Sequence, residues 1–272
     1  MKAGWGLTQR DLEYLVETLM PTALDVEDAA ARLRADETLL DAMLDDPDLF
    51  DRLLGDEDVL VRVSPWFFFA VLLRRAQHDM RQETFTVERR AGQKVHLFDA
   101  DRVLDLLEQA ELRDYLATML ASFTRIHQVT IPVRVRRGVW RRYRTNELDV
   151  DSMMRYCQGV DEEHRFSIYR RIGDACLFMS SMFPEHIESQ YRYASSRQVR
   201  PGARGRLVAS LEEYEAHGRA FYRLAAEHET ARVEGLDEVL AMLSEHFVLA
   251  EKPLTFVANR YLLFTRHKLF DV

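Results

Sequence analysis

The sequence predicts a mainly α protein: a multi-helix globular bundle with one small β element made of two hairpins, in winged-helix-like order. Three observations lead there. Apolar residues recur at three- and four-residue spacing over most of the chain, as in Leu12, Leu15, Val16, Leu19 and Met20. Proline and glycine punctuate those stripes at intervals typical of helix ends. Two short stretches, "TFTVERRAGQKVHLFD" and "VTIPVRVRRGVWRRYR", instead alternate with period two on either side of a glycine-containing turn.

Taken in order, Thr8 with Asp11 forms a helix N-cap carrying an acid at the third helical position, and Pro21 stops that helix. Leu39, Leu40, Met43 and Leu44 mark a second helix, and Leu49, Phe50, Leu53 and Leu54 a third, with Pro47 between them and Gly55 after. A boundary near "GDED" separates an acidic helical N-terminal segment, 1–60, from a helical body, 61–272, with hairpins near 84–98 and 128–144. Ser64 and Pro65 read as cap and first-turn proline of "PWFFFAVLLRRAQHDM", whose aromatic content marks a core helix. Residues 101–125 are helical with a break near "QAEL", and further helices are expected over 161–183, 207–228, 233–250 and 253–264. The span 195–205, with Pro201, Gly202 and Gly205, reads as a loop.

At 272 residues, 47% hydrophobic and 30% charged, the chain is long enough to bury a sizeable core. Cys157 and Cys176 have no metal-ligand spacing and read as reduced thiols of a cytoplasmic protein. The start has no basic stretch followed by an apolar one, as a secretory signal would, and the longest apolar run, "PWFFFAVLL", is too short for a bilayer, so no membrane partner is expected. The formal net charge of -8 is unevenly spread: residues 1–60 carry sixteen acids against five bases. Between Asp114 and Glu147 there is no carboxylate but there are seven arginines, and Arg192, Arg197, Arg200, Arg204 and Arg206 form a second basic stretch.

The hairpin over 128–144 is therefore the leading candidate site, through Arg134, Arg136, Arg137, Trp140, Arg141, Arg142, Tyr143 and Arg144. Strand alternation puts Val129, Ile131, Val133 and Val135 on one face and Arg134 and Arg136 on the other, with a turn at Gly138. Guanidinium forks match phosphate oxygens, and Trp140 or Tyr143 offers a stacking surface for an unpaired base. In the winged-helix reading this hairpin is the wing and "ELRDYLATMLASFTRIHQ" the recognition helix, whose polar set of Arg113, Thr118, Ser122, Thr124 and Arg125 is thin for base readout. The plainer reading is a solvated hairpin, or a basic face docked on acidic helices of the same or a neighbouring chain.

A second candidate lies in "FSIYRRIGDACLFMSSMFPEH", where Gly173 and Asp174 interrupt an apolar stripe, as Gly218 interrupts that of "YEAHGRAFYRLA". The plainer reading crosses the two helices at their glycines and pairs Asp174 with Arg170. The functional one makes Asp174, His217 and Tyr222 a pocket in which Asp174 orients His217 as a general base. No metal is expected: Asp161 with His164 and Glu213 with His217 have helical spacing, but no paired Glu-x-x-His or His-Glu-x-x-His motif occurs. No phosphate-cradling glycine loop, nucleophile elbow or cofactor signature occurs either, so no cofactor is expected and the balance is against an enzyme. Three functions follow: a nucleic-acid-associated regulatory or accessory protein using the basic hairpin, a protein-interaction module pairing acidic and basic faces in a homo-oligomer or with an acidic protein surface, and a helical enzyme or ligand-binding protein.

Overall fold

A computed structural model of the chain describes residues 6–56, 58–82, 86–90, 93–97, 99–125, 128–136, 139–146, 148–191 and 210–270, with the strands described by their backbone. The protein is mainly helical. Helices α1 Gln9–Leu19, α2 Val26–Ala35, α3 Glu37–Leu44, α4 Pro47–Gly55, α5 Val59–Arg62 and α6 Pro65–Met80 come first. Strands β1 Thr86–Arg90 and β2 Gln93–Leu97 precede α7 Ala100–Leu107 and α8 Ala110–Phe123. Strands β3 Gln128–Arg136 and β4 Val139–Asn146 lead to α9 Val150–Cys157, a 3-10 turn Glu162–His164, α10 Phe166–Met182, α11 Pro184–Tyr191 and α12 Leu211–Glu227. The last helices are α13 Glu229–Glu234, α14 Asp237–Glu245, α15 Phe247–Arg260 and α16 Arg266–Phe270.

These elements form two compact units, one of residues 1–124 with 256–270, the other of residues 125–255. Within the first unit a buried carboxylate joins residues on either side of position 60. Asp11 is 0% exposed and accepts hydrogen bonds from the Thr8 amide (2.7 Å) and hydroxyl (2.8 Å) and from the Ser64 amide (2.6 Å) and hydroxyl (2.8 Å). Thr8 caps α1 and Ser64 caps α6, so one side chain fastens two helix starts 53 positions apart. The two N-terminal dipoles favour the charge that water would otherwise solvate. Around it Leu12, Leu15, Val16, Leu49 and Leu53 are fully buried, so the acidic segment supplies core to the first unit.

Helix α6 is apolar on every side and buried from Trp66 to Leu73, as a central helix must be. The neighbouring charges are used in holding helices to it. Arg74 of α6 donates to Asp41 at 2.6 Å and Asp45 at 3.3 Å, fixing α3 and the residue that follows it. The chain's return closes the unit: Tyr261 donates to Asp79 at 2.8 Å, its ring lies edge-on to Phe50 with centroids 5.0 Å apart, and Phe270 stacks on Phe69 at 5.5 Å. Burial, and then the bond to Asp79, push the Tyr261 phenol above its ordinary range, so it remains a donor.

The winged-helix order does not become a winged helix. Strand β1 pairs with β2 and β3 with β4 as two separate antiparallel sheets, and β1, β2, α7 and α8 belong to the first unit while β3 and β4 belong to the second. Of the polar set expected to read bases, Arg125 is exposed, while the other four side chains bond within the unit. Arg113 donates to the Leu107 carbonyl at 2.7 Å and to Gln77 at 3.2 Å, and Thr118, Ser122 and Thr124 donate to backbone carbonyls of their own turns.

In the second unit, α9 was not anticipated from the sequence; Asp149 caps it, accepting from the Ser152 amide at 3.3 Å and hydroxyl at 2.7 Å. The helix expected over 233–250 is instead cut at Gly235, whose φ of 67° ends α13 in the left-handed region and leaves α14 to start anew. Pro253, expected to open a helix, lies inside α15.

Replacing Asp11 by Ala removes the acceptor of four donors inside a dry site and should cost about 2 to 4 kcal/mol, read as a lowered urea midpoint. An unchanged midpoint contradicts the joint described above. For the same reason residues 61–272 expressed alone should be insoluble or molten by near-ultraviolet circular dichroism, because α6 loses its partners.

Candidate functional site

The arginine-rich segment forms the ribbon β3–β4. Its register sets Thr130 opposite Arg144, Pro132 opposite Arg142 and Arg134 opposite Trp140, and between these pairs Val129 opposite Thr145, Ile131 opposite Tyr143 and Val133 opposite Arg141. Residues directly opposite in an antiparallel pair share a face, and alternation separates the two sets. Arg134, Arg142 and Arg144 thus share one face with Trp140, while Arg141 and Tyr143 share the other with the valines and Ile131. The register shifts between Arg134 and Arg136, which brings Arg136 opposite Val139. Arg137 and the turn at Gly138 lie outside the described residues, as does the basic stretch over 192–206. Arg134 thus lies off the face of Val129, Ile131 and Val133 as expected, but Arg136, expected beside it, is set by the shift on the face of Val139, which is that of the valines.

The second candidate is a helix crossing. Asp174 on α10, 6% exposed, accepts a hydrogen bond from the Tyr222 hydroxyl on α12 at 2.9 Å, and Tyr222 is 0% exposed. The crossing fits because the opposing residue is glycine: a Cβ at Gly173 would stand 2.7 Å from the Tyr222 ring. Gly218 on α12 makes the reciprocal space, since a Cβ there would stand 2.3 Å from the Phe247 ring and 3.0 Å from Cys176 Cβ. Each glycine thus receives a side chain from another helix rather than meeting the other glycine. Arg170 pairs with Glu234 at 3.4 Å across to α13, not with Asp174.

This arrangement does not assemble an acid–base dyad. His217 is half-buried against the Phe221 ring, centroids 6.5 Å apart, while the carboxylate it was expected to use is held by Tyr222. Burial, reinforced by the Glu251 and Asp174 carboxylates, pushes the Cys176 thiol far up, and burial raises Cys157 as well. Among the described residues no group of three His, Cys, Asp or Glu side chains is placed to hold a metal ion. No helix among them is long and apolar enough to cross a membrane.

Neither the family models, nor the curated proteins, nor the solved structures contain a match to the chain.

Sequence reasoning passed over one feature of the second unit. Glu251 and Lys252, adjacent on α15, are both buried, and neither lacks a partner. The signal was present: an ion pair's worth of charge inside the apolar run "FVLAEKPLTFVA".

Gly173→Ala should destabilise the chain by about 1 to 3 kcal/mol through overpacking against Tyr222. Gly55→Ala, where an added Cβ meets nothing within 4 Å, should be neutral or stabilising by up to about 1 kcal/mol. Urea melts of the two variants giving equal midpoints contradict the wedge at the crossing.

Proposed function

We propose that this chain is a nucleic-acid-associated accessory or regulatory protein that contacts phosphates through the β3–β4 ribbon. The observation that carries the reading is the register. It gathers Arg134, Arg142 and Arg144 with Trp140 on one face, inside a span from Asp114 to Glu147 that holds no carboxylate. Guanidinium groups at strand spacing meet successive phosphates, and an indole among them supplies a surface on which a base stacks without sequence preference. Phosphate contact of this kind positions a protein without specifying a sequence. The Asp174–Tyr222 bond and the place of His217 beside Phe221 favour packing over catalysis, so the enzyme reading is set below this one.

Phosphate contact is read most directly from salt dependence. Removing one arginine–phosphate pair should lower the slope of log affinity against log salt by about 0.7 to 0.9. Arg134, Arg142 and Arg144 replaced together by Ala should flatten the slope by about 2 to 2.7, and Arg141→Ala alone by less than about 0.9, with melting temperatures unchanged. If the wild-type chain shows no salt-dependent binding to single- or double-stranded nucleic acid at low ionic strength, the proposal is wrong, and an acidic protein surface takes the place of the phosphates.

A further inference from the structure

In the first unit the pair β1–β2 arranges its charges differently from β3–β4. Its register sets Arg89 opposite Lys94, Val87 opposite His96, Glu88 opposite Val95 and Arg90 opposite Gln93. Opposite residues share a face, and alternation separates the two sets. Glu88 and Arg90 thus fall on one face, where their charges cancel. The other face takes Arg89, Lys94 and His96 with Val87, and no carboxylate.

Two cations directly opposite each other are a liability in a sheet. Opposite positions bring Cβ atoms to within about 4.5 to 5.5 Å, and like charges there destabilise the pairing. The second pair of strands is richer in arginine and contains no such juxtaposition: Arg134, Arg136, Arg141, Arg142 and Arg144 stand opposite Trp140, Val139, Val133, Pro132 and Thr130. Strands β1 and β2 have no third strand beside them, and a lone two-stranded pair has little stability to lose to repulsion. The strands themselves offer no relief, since no carboxylate occurs from Arg89 through Phe98.

We propose that this face of β1–β2 is a binding site for a phosphomonoester, whose phosphate bridges Arg89 and Lys94. The charge matches, because such a group carries about −1.5 to −2 at pH 7 against the two cations. The donors match as well: a guanidinium fork takes two phosphate oxygens, and an ammonium takes a third as a point charge. An imidazole at position 96, two residues from Lys94 on the same face, adds a further N–H. A carboxylate brings one charge and two oxygens, and a phosphodiester also brings a single charge, so each answers only half of the pair. The site takes a different anion from the diester backbone assigned to β3–β4 and does not depend on that reading.

Amide hydrogen exchange of the full chain at constant pH tests this, with inorganic phosphate as the probe and sodium chloride of equal ionic strength as the control. At about ten times its half-saturating concentration, phosphate should slow exchange through local opening in peptides covering 86–97 by about tenfold, and chloride should not. Lys94→Glu turns the repulsion into a cross-strand ion pair, so these peptides should exchange more slowly than those of the wild type without any anion and should no longer respond to phosphate. Lys94→Arg should respond as the wild type does. An oligonucleotide with a 5′ phosphate, compared with the same strand ending in a hydroxyl, separates the two sources of the group. Protection of 86–97 by the phosphorylated strand alone assigns the site to a strand end; protection by inorganic phosphate but by neither strand assigns it to a free phosphorylated compound. No protection by phosphate, protection that chloride reproduces, equal protection by both strands, or a Lys94→Glu variant that responds like the wild type overturns the proposal. Because contact at β3–β4 is read in 128–146, either reading can fail without the other.

Discussion

A carboxylate with no access to water organises the first unit. Asp11 is tolerable there because four donors converge on it from the starts of α1 and α6. Its position fixes where α1 begins, which lays Leu12, Leu15 and Val16 against the central helix and brings Tyr14 edge-on to Phe67, centroids 6.3 Å apart. Asp41 and Asp45 likewise hold Arg74 of the central helix, and Asp79 of that helix accepts from Tyr261 of the returning chain. The acidity of residues 1–60 is thus partly internal wiring.

The second unit rests on shape more than charge. Gly173 and Gly218 let α10 and α12 come close enough for each to receive a side chain, and the Asp174–Tyr222 bond sets the register of the crossing from within.

How far this was legible depends on the distance over which each interaction acts. The capping box of Thr8 and Asp11 spans three residues and could be read directly, but the bond from Asp11 to Ser64 spans 53 and could not. The glycines at 173 and 218 were conspicuous as gaps in apolar stripes, although only the folded chain shows that Tyr222 and Phe247 fill them. Helix α2 escaped notice because its buried side is only Ala30 and Leu33; Asp25 caps its start, and Asp36, where it ends, caps α3. In the ribbon, composition singled out the arginines. The shift between Arg134 and Arg136, which decides which of them share a face with Trp140, has no signature in composition or alternation.

The central claim is that the ribbon, and not the helical surfaces, meets a nucleic acid. Amide hydrogen exchange of the full chain, with and without a single-stranded oligonucleotide at low ionic strength, locates the contact without altering the protein. The account predicts slowed exchange in peptides covering 128–146, while peptides of α10 and α12 exchange as before. Slowed exchange confined to other segments, with 128–146 unaffected by bound oligonucleotide, would contradict it.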